Sequence, residues 1–185
     1  MKENPLINVT HELFAPAESS TFDGNFELSV LKAGPDLYEF LEPLKWNVCL
    51  TNTGDALLVT GEVEGVARAT CARCLEGFDF PIVGELEGYF LISEDALPPE
   101  DLDEDEFSYL PKSNCIDLTE IINAALLLEL SMIPLCNEEC KGLCPQCGEN
   151  LNVAQCACAE TEENAAQEDK PNPFSVLKDF PFEEK

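Results

Sequence analysis

Eight of the ten cysteines in this chain fall into four close pairs: Cys71 and Cys74, Cys136 and Cys140, Cys144 and Cys147, Cys156 and Cys158. No other feature limits the possible folds as strongly. The start, Met1-Lys2-Glu3-Asn4-Pro5, leads into a mixed polar stretch without an apolar signal region. The longest apolar run, Ala124-Ala125-Leu126-Leu127-Leu128, is too short to span a bilayer. The expectation is a cytoplasmic protein with no membrane contact. In that compartment thiols stay reduced, so clustered cysteines are metal ligands or redox groups rather than structural disulfides.

The sharpest cluster is Cys144-Pro145-Gln146-Cys147-Gly148 followed by Cys156-Ala157-Cys158. In a zinc knuckle a tight turn aims two thiolates and backbone N–H groups at one point, and a glycine after the second cysteine allows the positive φ of that turn. Four soft thiolates favour zinc, with iron second. From Glu138 to Cys158 the apolar side chains are few, chiefly Leu143, Leu151 and Val153, so metal binding would supply the folding energy of this segment. A redox dithiol and unliganded cysteines are the competing readings.

Cys71-Ala72-Arg73-Cys74 sits between two strand-like runs and reads as a hairpin tip bearing a knuckle. If the helix expected before Cys136 packs along the sheet, Cys136 and Cys140 can close on Cys71 and Cys74 as a second four-cysteine site. One zinc then becomes two. The alternative assigns Cys136 or Cys140 to the first site and leaves Cys71 and Cys74 as free thiols. Cys49 and Cys115 have no partners in sequence and read as packed thiols.

Around the cysteines the pattern is that of an α+β chain. A length of 185 residues with 45% apolar composition can bury a core without staples. Leu44, Trp46, Val48 and Leu50 alternate with Lys45, Asn47 and Cys49, and Asn52-Thr53-Gly54-Asp55 reads as a turn. Strands are expected at Phe26–Leu31, Ala56–Thr60, Val63–Thr70, through Phe78, Phe80 and Ile82, and through Leu86, Gly88, Phe90 and Ile92. Residues 1–25 read as irregular, with a weak turn at Asp23-Gly24.

The expected organisation is an antiparallel β-domain, meander- or barrel-like, over 1–93, with the Cys-x-x-Cys hairpin. An acidic loop over 94–116 and a core helix over 117–135 follow. Then come a zinc knuckle over 136–158, a linker over 159–170 and a docking segment over 171–185. Asp117 and Glu120 form a capping-box pattern. Leu118, Ile121, Ile122, Ala125, Leu128 and Met132 lie at helical spacing as a core face, with a partner-binding groove as the lesser reading, and Pro134 stops the helix. The docking segment regains apolar residues, Phe174, Val176, Leu177 and Phe180.

The formal charge is −27, and eight acids stand between Glu94 and Glu106 with no base. So acidic a surface repels phosphate and disfavours non-specific nucleic-acid binding. The acidic loop reads as a solubilising insertion, or alternatively as a mimic of nucleic acid. Direct RNA contact remains open through Lys45, Arg68, Arg73 and Lys112. The one histidine, His11, leaves little material for a nucleophilic pair, and there is no phosphate-binding glycine loop. A thioredoxin-type reading of Cys71 and Cys74 needs a helix after them, where Leu75 to Phe80 resumes a strand. The chain is not expected to be an enzyme.

Several segments resemble one family. They are Cys71-Ala72-Arg73-Cys74-Leu75-Glu76-Gly77-Phe78, the helix leading to Ile133-Pro134-Leu135-Cys136, the run from Cys140 to Gly148, Asn150-Leu151-Asn152, and Lys170-Pro171-Asn172-Pro173-Phe174 with Leu177. Together, over roughly residues 20–180, they resemble the YceD family. The resemblance implies a bacterial cytosolic protein, with plastid relatives, linked to accumulation of the large-subunit ribosomal RNA. It also implies a gene neighbourhood shared with a zinc-ribbon protein of the large ribosomal subunit. Some members of the family lack the second cysteine cluster, which makes the ribbon an accessory to the β-domain.

The combined expectation is a non-catalytic zinc-binding factor of ribosome biogenesis. Its partner would be a basic ribosomal protein or a large-subunit assembly intermediate. The rival class is a thiol-based redox switch or metal-sensing module.

Overall fold

The computed structural model describes residues 4–158, apart from 94, 97, 99–101, 104 and 105 and the side chain of Glu12. The linker and docking segment expected after Cys158 lie outside the described residues, as does part of the acidic loop.

The strongest alternation in the sequence becomes strand β5, Leu44–Asn52, with Leu44, Trp46, Val48 and Leu50 buried. The turn after it carries a buried polar anchor. Asn52 Oδ1 accepts the Gly54 N–H at 2.7 Å, and its Nδ2 donates to the Leu13 carbonyl at 2.7 Å. The amide is thereby satisfied at both ends, as burial demands. β6 then runs unbroken over Ala56–Thr70 and β7 over Gly77–Leu91, where two shorter strands each were expected. They pair antiparallel from Ala56↔Leu91 to Thr70↔Gly77, a ribbon roughly 50 Å long.

The other edge of β6 is shared. Its first half pairs with β5, and Ala67 and Arg68 pair with β4, Asp36–Phe40. Outside these lie β2, Ser19–Phe26, on β5 and β3, Val30–Ala33, on β4. β8, Phe107–Tyr109, adds to β7 in parallel. A separate pair joins β1, Leu6–Asn8, to β9, Cys115–Asp117. The strand order describes an open sheet, and barrel closure is not seen among the described residues.

Four expectations change. The stretch 1–25, expected to be irregular, holds β1, a 3₁₀ turn at His11–Phe14 and most of β2 among its described residues. The expected strand Phe26–Leu31 is instead split, with Phe26 ending β2, Val30 and Leu31 opening β3, and a break at 27–29 between them. Gly24 is no turn but a mid-strand residue opposite Trp46, and a Cβ there would lie 2.7 Å from the indole. The stretch 94–116 likewise contains β8 and β9 rather than loop throughout.

The helix, α1, spans Thr119–Glu129 and packs on β7 through Ile122, Ala125 and Leu126. Burying such side chains contributes about 1.5–3 kcal/mol for each large one. Its N-cap is Leu118, and Asp117 belongs to β9. Asp117 Oδ1 still accepts the Thr119 N–H at 2.9 Å, an anchor one residue earlier than a capping box provides. The helix ends at Glu129, well before Pro134, because Leu130 is already extended. Leu128 and Met132 are therefore not on the core face; they are 85% and 93% exposed. At about 100° per residue Leu128 points some 120° away from Ile122.

Candidate metal centre

The β6–β7 ribbon ends in a six-residue tip, and the tip is a knuckle. The Leu75 N–H donates to the Cys71 carbonyl at 3.0 Å, and the Cys71 N–H to the Glu76 carbonyl at 2.9 Å. A second knuckle repeats this pattern. The Gly148 N–H donates to the Cys144 carbonyl at 2.9 Å, and the Cys144 N–H to the Glu149 carbonyl at 2.8 Å. Each turn needs a positive φ at the residue after its second cysteine. Gly148 meets it at 76°, as the sequence predicts, whereas Leu75 adopts 61° in the first knuckle.

The chain leaving α1 brings the second half of the first group to the tip. Tyr38, fully buried on β4, donates its hydroxyl to the Ser131 carbonyl at 2.6 Å. The Ala72 N–H donates to the Pro134 carbonyl at 2.8 Å. Arg73 Nη1 donates to the carbonyls of Glu138 and Cys140 at 3.1 and 3.0 Å. Arg73, which sequence alone left open as an RNA contact, is thus engaged in holding the cysteine loop. Arg68 is paired with Asp79 at 2.6 Å.

These contacts gather Cys71, Cys74, Cys136 and Cys140, whose four sulfurs lie within 4.8 Å of one another. Cys71 Sγ and Cys140 Sγ are 3.8 Å apart, and Cys74 Sγ and Cys136 Sγ 3.7 Å. A tetrahedron with bonds of about 2.3 Å has sulfur–sulfur edges of about 3.8 Å, and these two edges match that of a four-thiolate zinc site. Cys71, Cys74 and Cys140 are buried against Phe78 and Leu135, and Cys136 is exposed. Cys144, Cys147, Cys156 and Cys158 form a second group, whose sulfurs likewise lie within 4.8 Å of one another, with Cys144 buried and Cys147 exposed. Cys49 and Cys115 join neither group. Cys49 lies half-buried on β5 beside the Thr51 hydroxyl, and Cys115 half-buried on β9.

The electrostatics fit a cation. Burial resists ionisation of Cys71, but the N–H groups of Cys136, Cys74 and Arg73 aim at its sulfur and bring the thiol down to about 6. In the second group the N–H groups of Cys147 and Gln146 bring Cys144 down to about 6. Burial and the adjoining sulfurs of Cys71, Cys74 and Cys140 push Cys136 up to about 12. Hydrogen bonding with Cys147, followed by burial, pushes Cys158 up to about 12. Four sulfurs this close cannot all ionise on their own, and a dication among them removes that penalty. Both groups could hold a metal ion, and their donor sets suit zinc.

Sequence reasoning missed Tyr38 and Asn52 as anchors. Each acts across a separation that local pattern does not register: 93 residues from Tyr38 to Ser131, and 39 from Asn52 to Leu13. No helix among the described residues is long and apolar enough to cross a membrane.

An uncharacterised protein of Mycobacterium tuberculosis strain H37Rv is 35% identical over 100 residues, covering 52% of this chain and 46% of the relative. A chloroplastic protein of Zea mays, named large ribosomal RNA subunit accumulation protein YCED homolog 1, is 38% identical over 144 residues, covering 63% of this chain and 48% of its own length. The protein of that name from Arabidopsis thaliana is 34% identical over 61 residues, covering 33% of this chain and 19% of its own length. This chain thus spans about half, or less, of the length of these relatives. No solved structure matches it. The family model described as "Large ribosomal RNA subunit accumulation protein YceD" matches residues 59–181, a span that takes in all eight clustered cysteines and most of the chain, and the chain therefore belongs to the YceD family.

Proposed function

We propose that this chain is a non-catalytic zinc-binding factor of ribosome biogenesis in the cytoplasm, acting in the accumulation of large-subunit ribosomal RNA by binding protein. The observation that carries the reading is the pair of four-cysteine groups, each with its sulfurs within 4.8 Å of one another, in a chain of the YceD family. Cys71, Cys74, Cys136 and Cys140 would hold one zinc, and Cys144, Cys147, Cys156 and Cys158 another. A four-thiolate site leaves no open coordination position, so zinc held there supplies structure rather than catalysis. The first ion fastens the segment after α1 to the hairpin tip, and the second gives order to a ribbon that has little apolar core.

The charge of −27 supports a basic protein partner. A polyanionic surface attracts Lys- and Arg-rich chains and lowers encounter with phosphate, through a field that salt screens over about 8 Å. The family's name supplies the ribosomal connection, and with it the proposed partner: a ribosomal protein or a large-subunit assembly intermediate.

The test has two arms. Native mass spectrometry under reductant should find two tightly held zinc ions. Capture from lysate with and without RNase should retain a basic large-subunit protein after RNA is removed. A second reading, a thiol-based redox or zinc-release switch, draws on the exposure of Cys136 and Cys147. Metal-free protein that forms disulfides reversibly would favour that reading and overturn the first.

A further inference from the structure

The loop between Cys147 and Cys156 belongs to the second group in sequence, yet one of its side chains serves the first. Asn152 Nδ2 lies 3.3 Å from Cys140 Sγ, and its Oδ1 accepts the Lys141 N–H at 2.8 Å. Both ends of one amide are thus committed to the Cys140–Lys141 segment. The amide is itself held. Asn150 Oδ1 accepts from Asn152 Nδ2 at 2.9 Å and from the Asn152 N–H at 3.0 Å. The backbone beside it is tied to the stretch between the two groups. The Leu151 N–H donates to the Gly142 carbonyl at 2.9 Å, and Leu143 and Asn150 form a β-bridge.

We infer that Asn152 is a positioning residue for the metal of the first group, the inner site, and that it couples this site to the second group, the outer one. The inference rests on the metal-binding reading above. An N–H donor to a thiolate is a charge-assisted hydrogen bond, stronger than one between neutral groups. Such outer contacts orient the ligand, and their loss typically costs 10–100-fold in metal affinity. The loop that carries Asn152 has little apolar burial, and Val153 is 83% exposed. Closure of Cys144, Cys147, Cys156 and Cys158 on a metal therefore fixes the loop, and the fixed loop presents the amide to Cys140. Linkage makes the effect reciprocal: the inner metal strengthens the outer by the same factor.

The test is cobalt titration of the full chain under reductant. Thiolate-to-cobalt absorption is read against a competing chelator. Wild-type protein should bind two equivalents, the first favouring the second. Asn152→Asp keeps the acceptor for the Lys141 N–H but replaces the donor by a carboxylate oxygen facing the sulfur. It should still bind two equivalents at saturation, which reports that both cages fold, with inner affinity lowered by about 10–100-fold.

Cys147→Ser isolates the inner site, and its single equivalent should show a similar loss. Adding Asn152→Ala to Cys147→Ser should then change little, because the amide is already released. Two equivalents with inner affinity unmoved by Asn152→Asp overturn the coupling and leave the metal reading standing. Wild-type protein that takes up no cobalt overturns the metal reading, and the coupling with it.

Discussion

The two cysteine cages begin with the same knuckle and put it to different uses. In the outer cage all four sulfurs come from 15 consecutive residues, 144–158, with little apolar surface around them. In the inner cage the knuckle stands at the tip of a 15-residue two-stranded ribbon and takes its other two sulfurs from beyond α1, at a separation of 62 residues from Cys74 to Cys136. Three of its four cysteines are buried, and Phe78 and Leu135 pack beside them. Holding metal as proposed, the outer cage would stand in for a core, whereas the inner one would join parts that already have one. A ligand set of one chemistry can therefore act as a folding nucleus or as a clasp, depending on how much chain lies between its halves.

The comparison can be broken most forcefully at the clasp. Cys74→Ser should cut bound zinc to one ion or none and release the segment after Pro134 from the hairpin tip. Limited proteolysis should then cut within 131–143, with the sheet fragment surviving. A resistant segment would mean that the hydrogen bonds of Ala72 and Arg73 hold the joint without metal.

Next comes the outer cage. Cys147→Ser should leave one zinc and disorder the 144–158 ribbon, with the sheet's cooperative melting transition retained. The sheet buries Trp46, Val48, Leu57 and Ile82 independently of the ribbon. Loss of that whole transition would show that clasp and nucleus are one unit.

Tyr38→Phe tests whether the clasp is aligned from the sheet side. It strips the Ser131 carbonyl of its donor, and should cost about 1 kcal/mol, a fall of about 2–4 °C in Tm, with zinc unchanged at two. A drop in zinc content would make Tyr38 part of the site rather than its approach.

The smallest effect is expected at Leu75→Gly. The positive φ that Leu75 adopts strains an L side chain by about 1–2 kcal/mol, and glycine gives back about 0.4–1 kcal/mol in the unfolded state. Because Leu75 is 64% exposed, little packing is lost. A net stabilisation of about 0.5 kcal/mol is expected, making the two knuckles alike. Destabilisation would assign the exposed leucyl side chain a packing role in the clasp.

How much of this was legible in advance follows from the range over which each signal acts. β5 could be read because one face is fully buried and the other wet, so its alternation is strong. β2 could not, because one of its faces is exposed and the other mostly only half-buried, and its Gly24 resembles a turn residue unless Trp46 is known to lie against it. The glycine at 148 announces the positive φ of its knuckle; at Cys71–Cys74 the spacing alone signals the knuckle, since the leucine at 75 gives no such sign. The grouping of the cysteines followed from spacing for 144–158. For the inner group it needed the helix to lie along the sheet, which no local pattern states. The helix stop is not legible because Pro134 is the evident breaker in sequence, whereas the extended Leu130 ends the helix first.

The separation of the clasp's two halves also sets an order of events during synthesis. A ribosome that adds about 5–20 residues per second delivers Cys136 roughly 3–12 s after Cys74. Through that interval the new hairpin tip carries a pair of thiols whose partners do not yet exist. They are open to any oxidant or free metal ion nearby. The outer cage, made from one short stretch, meets its last ligand within a few seconds of its first.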